Sequence, residues 1–236
     1  GLPFILGMLL AALLAGAIGL LIGLPATRLR TVYLALATFA FAEAAQWVFN
    51  SWDKVTNGPD GLRIAAPNIL GYHAGTDQAA FPVMAILLAV MIAAAMYLTT
   101  SKFGRAMCAI RDSEHVASAS GINVRGTKVW AFAISAVYAG VAGGMYTLFQ
   151  SFVNPEVFGF QQIVLLLSMI VVGGLGTIPG VLIGVALLGL LPEVMRTTMR
   201  SLLIWQELIY GLVLILAVTF MPHGIWGFVT ARRGRR

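Results

Sequence analysis

An all-α, polytopic transmembrane helical bundle is the fold this sequence predicts, and three observations predict it. Apolar residues make up 59% of the 236 residues and charged residues only 10%, with a mean hydropathy of +0.90. A soluble domain carries about 25% charged residues, so there is too little polar surface here to cover a soluble particle. The apolar residues also come in blocks that recur along the whole chain, which one cleaved signal segment would not give. Finally, the charges are segregated into short stretches between those blocks. Membrane orientation requires that pattern; nucleic-acid binding does not, despite a net charge of +6. The single cysteine, Cys108, rules out an intrachain disulfide and a cysteine-based metal cluster.

The blocks place the elements in order. The first span falls at roughly residues 4–24 and the second at 31–52, broken only by Glu43. Further spans fall at 78–101, 129–155 and 208–231, about five full spans in all, since about 20 apolar residues cross the hydrocarbon core as a helix. Residues 157–192 carry no charge over 36 residues. As one helix they would run roughly 54 Å, too long for one crossing. Within them GGLGTIPG, 173–180, holds the helix breakers Gly173, Gly174, Gly176, Pro179 and Gly180. A broken hairpin over 161–191 follows, with arms 161–173 and 178–191 of about 20 Å each. Its backbone must be shielded by protein or face a water-filled cavity.

Loop charges set the orientation. Residues 25–31, 100–128 and the C-terminal tail hold Arg28, Arg30, Lys102, Arg105, Arg111, Arg125, Lys128, Arg232, Arg233, Arg235 and Arg236. The opposite side holds Lys54, Arg63, Arg196 and Arg200. Eleven against four places the first set in the cytoplasm. The hairpin must then enter and leave on one side. Gly1 falls outside, which fits both an additional upstream span and none. The outer segment 51–80 is rich in Gly, Pro, Asn and Asp, which favour turns.

Polar residues inside spans are few. Glu43, Gln46 and Asn50 share one helical face, and so do Ser135, Tyr138, Tyr146 and Gln150. A carboxylate at that depth costs a few kcal/mol, so Glu43 should face a cavity or a partner. Each stripe has two readings: the lining of a solute path, or hydrogen bonds that hold helices together. No Lys or Arg lies within a predicted span, which suits a neutral or zwitterionic solute better than a strong anion. Three GxxxG pairs, Gly19/Gly23, Gly140/Gly144 and Gly180/Gly184, let helices approach closely. Packing within the chain is favoured over packing on a partner subunit.

Enzyme motifs are absent. GINVRGTK, 121–128, has its final residues in the wrong order for a phosphate-binding P-loop, and no strand precedes it. His73, His115 and His223 lie apart, without metalloprotease spacing, and no serine sits in a GxSxG elbow. No catalytic residue and no metal site is expected.

The stretch GRAMCAIRDSEHVASASGINV, 104–124, interrupts the apolar blocks. Phe103, Met107, Ile110 and Ala117 fall near one helical face, with Arg105, Arg111, Asp112 and His115 elsewhere. The pattern predicts an amphipathic helix on the cytoplasmic side, with Gly121 as its stop. It would rest on the membrane surface or dock a soluble partner. Charges of both signs and the small residues 117–120 favour docking.

With these pieces in order, the chain resembles the LivM-type permease family of bacterial branched-chain amino acid ABC importers. The resemblance runs from about residue 15 to 228. It rests on GLPATRLRTVYLALATFAFAE (23–43), TNGPDGL (56–62) and SKFGRAMCAIRDSEHVASASGINV (101–124), then AFAISAVYAGVAGGMY (131–146), VVGGLGTIPGVLIG (171–184) and MPHGIWG (221–227). It implies one transmembrane permease domain over 1–236, without catalysis of its own, in the bacterial inner membrane. Residues 101–128 become the coupling segment. Glu114, Ala117, Ala119 and Gly121 match its Glu-x-Ala-Ala-Glu-Ala-x-Gly pattern, while Ser118 stands where an acid is usual. Arg105, Arg111, Glu114, Ala117 and Gly121 are then expected to couple to the ATPase. Glu43, Gln46, Asn50, Ser135 and Tyr138 are expected along the translocation path. Implied partners are a second permease, two ATPase subunits that hold ATP and Mg²⁺, and an extracytoplasmic solute-binding protein. The implied solutes are Leu, Ile and Val, with urea or short amides as the alternative within the family. An ion-coupled carrier acting alone, or a structural scaffold, are the readings outside it.

Overall fold

The computed structural model describes residues 3–29, 31–64, 68–69, 72–73, 77–150 and 152–198, isolated residues between 208 and 219, and residues 224–233. The helices are α1 (Phe4–Ala26), α2 (Thr31–Ser51), α3 (Asp53–Thr56), α4 (Asp77–Thr100), α5 (Lys102–Asp112), α6 (Glu114–Ala119), α7 (Val124–Phe149), α8 (Phe160–Gly173), α9 (Ile178–Thr198) and α10 (Gly224–Arg233). Among the described residues, four helical segments are long and apolar enough to cross a membrane: Phe4–Ala26, Ala80–Thr100, Val124–Phe149 and Pro155–Gly173. α2 has spanning length at 21 residues. The protein is an all-α polytopic membrane bundle. It forms two compact units, Gly1–Glu156 and Val157–Arg236.

In the first unit α1 packs along α7. Ala12, Gly16, Gly19, Gly23 and Ala26 are the buried residues of α1. Their alternating spacing of four and three makes one seam along the helix. A Cβ on Gly19 would lie 2.5 Å from Ala136 Cβ and 2.8 Å from the Phe132 carbonyl, and one on Gly140 would lie 2.7 Å from Ala12 Cα. Gly23 faces Val129 and Gly144 faces Met8, so the helices run antiparallel. Two of the three predicted GxxxG pairs therefore lie on this one seam, Gly19 and Gly23 against residues of α7 and Gly140 and Gly144 against residues of α1. Bare backbone brings the helices close enough for dispersion contacts along their length. The large side chains Leu13, Leu14 and Leu21 stay exposed.

The end of this unit remote from Arg28 is a small cap. Thr56-Asn57-Gly58 turns the chain after α3, with Asn57 in the left-handed region at φ 59°. Its Nδ2 donates to the Gly61 carbonyl at 3.1 Å. Strand β1 (Leu62–Arg63) then pairs antiparallel with β4 (Phe152–Val153), Leu62 opposite Val153. Strands β2 (Asn68–Ile69) and β3 (Tyr72–His73) form a second ladder. The span expected at 129–155 is thus shifted: α7 runs Val124–Phe149, and the following residues turn into β4. Asn123 caps α7 earlier than the charge count suggested, and Arg125 and Lys128 ride on its first turns.

In the second unit α8 and α9 form the expected hairpin. Gly174 and Gly176 take φ 127° and 79°, and Pro179 sits in the first turn of α9, where its missing N–H costs nothing. A side chain on Gly173 would run into the Gly180 carbonyl, and one on Gly184 into the Met169 carbonyl. The core here is Met169, Val172 and Leu188, with Leu165, Leu191 and Ile225 against it. One bound needs correction: the second arm continues as helix through Pro192 to Thr198, 21 residues in all, although only its first part, Ile178–Pro192, is apolar, the short arm expected. Glu193 and Arg196 are helical instead of ending it, since proline bends a helix without always stopping it. Up to residue 223, the span expected at 208–231 falls largely outside the described residues. Gly224, at φ 67°, opens α10.

Candidate functional site

The end of the first unit that carries Arg28 also carries 101–128. Ser101 caps α5, its Oγ accepting from the Gly104 N–H at 3.2 Å, and Arg105 Nη1 donates to the Thr100 carbonyl at 2.9 Å. One continuous amphipathic helix was expected; the structure breaks it at Ser113. That residue is extended (φ −162°, ψ 115°), ends α5, and accepts from the Val116 N–H to start α6. Serine competes for backbone donors through its hydroxyl, which favours a cap over a helix interior. Ile110 and Ala117 are buried, Met107 is exposed, and among the described residues Arg111 pairs only with the adjacent Asp112, both in solvent.

α6 ends as the glycine predicts. Gly121, at φ 80°, donates to the Ser118 carbonyl, and Ile122 donates to the Ala117 carbonyl at 3.1 Å. These two bonds are the Schellman closure. No atom would touch a Cβ on Gly121, so conformation alone, not space, asks for glycine there. The chain then restarts at once. Asn123 Oδ1 accepts from the Gly126 N–H at 2.9 Å, and Thr127 Oγ1 donates to the Asn123 carbonyl at 2.9 Å. Lys128 Nζ donates to Glu114 Oε1. Apart from Arg125, each polar residue of the P-loop look-alike is thereby accounted for as a cap or a strap, with Gly121 as the stop. Glu114 also stands at the first position of α6, where an acid meets the positive end of the helix. The Lys128 partnership and the Ser113 break were missed at the sequence level. The run Asp112-Ser113-Glu114 carries the signal for the break, a capping residue followed by an acid.

The proposed path residues are not drawn together. Tyr138 donates to the Met91 carbonyl on α4 at 3.3 Å. Ser135 bonds back to the Phe132 carbonyl of its own helix at 2.9 Å. Glu43 is exposed and has no ion pair or hydrogen bond among the described residues, while Asn50 Oδ1 is buried without a partner there. None of residues 33–51 is buried. The helix-break residues Gly173 and Gly174 gain a neighbour that sequence reasoning did not supply. A Cβ on Gly224 would lie 2.5 Å from the Gly174 nitrogen, so the start of α10 seats on the hairpin turn.

Long apolar helices joined by short capped polar segments, with small residues between the helices, define a multi-pass helical membrane protein. The chain belongs to the family described as branched-chain amino acid transport system / permease component, which matches residues 1–218. It is 30% identical over 249 residues to the high-affinity branched-chain amino acid transport system permease protein LivM of Escherichia coli (strain K12), covering 95% of this chain and 58% of that protein. It is 25% identical over 237 residues to the probable branched-chain amino acid transport permease protein LivM of Methanocaldococcus jannaschii, covering 94% of this chain and 67% of that protein. The permease protein LivH of Escherichia coli (strain K12) is 31% identical over 137 residues, 58% of this chain and 44% of that protein. The chain thus spans 58% of the length of the Escherichia coli LivM protein. No solved structure matches.

Proposed function

We propose that this chain is a membrane-spanning permease subunit of an ABC importer in the bacterial inner membrane, carrying the branched-chain amino acids Leu, Ile and Val. It acts as one permease domain, and ATP and Mg²⁺ are held by two separate ATPase subunits. The chain performs no catalysis itself. Its similarity to both LivM and LivH proteins supports a second, related permease as its membrane partner. A solute-binding protein delivers from the other side, where the cap of residues 51–64 lies, and no nucleic acid is involved.

The observation that carries the mechanism is the construction of 101–128. Two short helices, α5 and α6, are capped at both ends and strapped to α7 through Glu114 and Lys128. A push on Ala117 or Glu114 reaches α7 through that strap, and α7 passes it to α1 along their glycine seam. Arg105 and Arg111 flank this surface. Glu43, Gln46 and Asn50 on α2 and Ser135 on α7 supply polar groups to the path, with Tyr138 bordering it. α2, with none of residues 33–51 buried, faces the partner permease across that path.

Reconstitution with both permeases, the ATPases and the binding protein in liposomes tests this. The expected result is leucine uptake that requires ATP inside. Uptake driven by an ion gradient with no ATP would replace the reading with a carrier; urea bound instead of leucine by the binding protein in calorimetry would replace the solute. Gly121→Val tests coupling. A non-glycine residue held left-handed costs about 1–2 kcal/mol, so ATP-driven uptake should fall roughly tenfold while the permease remains in the membrane.

A further inference from the structure

We propose that the Arg28 end of the first unit holds a specific anionic phospholipid, its phosphate between Arg28 and Arg125 and an acyl chain between α1 and α2. A cavity of about 830 Å³ opens there, lined by Arg28 and Arg125 together with Thr27, Asn123 and Trp130. Among the described residues neither arginine side chain has an ion pair or a hydrogen bond. The acid that lines the adjoining cavity with Arg125 is Glu114, and Lys128 already engages it. Two unneutralised guanidinium groups at a membrane boundary attract a phosphate and give it fork-shaped donors.

The second half of the site is apolar. A groove of about 310 Å³ runs between α1 and α2, with Leu21, Ile22, Ala37 and Phe41 on its walls. It shares Pro25 and Leu29 with the cationic cavity, so the apolar groove adjoins the two arginines' cavity at the end of α1. A free phosphate would leave the groove empty. A soluble partner seated on α5–α6 would reach the arginines only from outside and leave it empty as well. A diacyl phospholipid fits both halves, and the cytoplasmic leaflet, where we place this end, is the anionic one. Trp130, 58% exposed at the rim, has the interfacial character of a headgroup contact. The proposal depends on the placement of this end at the membrane surface and not on the transported solute, so a failed uptake assay leaves it intact.

Native mass spectrometry of the assembled transporter, exchanged between phosphatidylglycerol and phosphatidylcholine, provides the test. The wild type should retain phosphatidylglycerol preferentially. Arg28→Gln with Arg125→Gln should weaken that retention roughly thirtyfold, the effect of two interfacial arginines. The Arg28→Lys, Arg125→Lys pair should keep most of it, which separates lost charge from lost folding. Ala37→Trp fills the groove and should expel the lipid with both arginines present. Equal retention of the two lipids by the wild type overturns the proposal, as does an unchanged preference in the glutamine pair. Millimolar inorganic phosphate displacing phosphatidylglycerol, with Ala37→Trp harmless, would assign the site to a free anion and overturn the lipid.

Discussion

α1 closes on α7 with small residues, whereas α2, in the same compact unit, buries none of residues 33–51. The buried residues of α1 are alanines and glycines. α2 carries Tyr33, Phe39, Trp47 and Phe49, all exposed, and a polar face of Glu43, Gln46 and Asn50. In lipid no hydrophobic force drives two apolar helices together; close backbone approach does. Helices rich in glycine therefore settle inside the chain, and a helix with large rings and a carboxylate waits for something else. On the proposed function, the difference separates a scaffold from a working surface.

The largest effect should come from breaking the scaffold. Gly19→Leu puts a side chain where Ala136 and the Phe132 carbonyl already stand, and overpacking of that kind costs about 3 kcal/mol. The thermal midpoint in detergent should drop and the variant should accumulate poorly. Gly7→Leu, on the same helix but with open space around it, should match the wild type. If both variants behave alike, the seam is not what holds α1.

Much of this was legible beforehand. The GxxxG spacings named Gly19, Gly23, Gly140 and Gly144 of the seam but not Ala12, Gly16 or Ala26, and charge-free windows named most spans, because a missing side chain and a missing charge are both written in single residues. The corrections fall where the deciding contact lies elsewhere in the chain. The end of α7 at Phe149 depends on β4 meeting β1 across some 90 residues. The strap between Glu114 and Lys128 depends on the chain reversing at Gly121, which brings two distant charges together. The run of α9 to Thr198 depends on helix hydrogen bonding outweighing a proline and two charges near a membrane edge. The shared face of Glu43, Gln46 and Asn50 on α2 was visible in the sequence, whereas the Tyr138 bond to the Met91 carbonyl on α4 was not, because periodicity does not contain a partner on another helix.

The open surface is sharpened next. Glu43 has no partner to lose within the described residues, so Glu43→Leu should leave the thermal midpoint of the isolated permease within about 0.5 kcal/mol of wild type. Leucine uptake by the assembled transporter should fall by roughly tenfold, the equivalent of about 1.4 kcal/mol, with Glu43→Gln intermediate. A Glu43→Leu variant that melts early and transports normally would reverse the assignments of the two helices.

The strap at the far end is weaker. Lys128 and Glu114 form a partly exposed pair, their side chains 26% and 55% accessible, and pairs of that kind contribute about 0.2–1 kcal/mol. Lys128→Met should therefore cost little stability. It should instead raise the ATP hydrolysed per leucine imported, because the ATPase stroke slips past α7. An unchanged ratio would mean that the push travels through the α5 contacts with α7 alone.

The smallest effect is expected at Tyr138. Its hydroxyl reaches the Met91 carbonyl at 3.3 Å, a long bond, and interhelical hydrogen bonds in membranes average about 0.6 kcal/mol. Tyr138→Phe keeps the ring and removes only the donor. The thermal midpoint should shift by no more than that amount, with KM for leucine unchanged. A raised KM with an unchanged midpoint would instead place the hydroxyl in contact with solute. α7 would then share the working surface with α2, and the division between the two helices would have to be redrawn along opposite faces of α7 itself: Gly140 and Gly144 toward α1, Ser135 and Tyr138 toward the path.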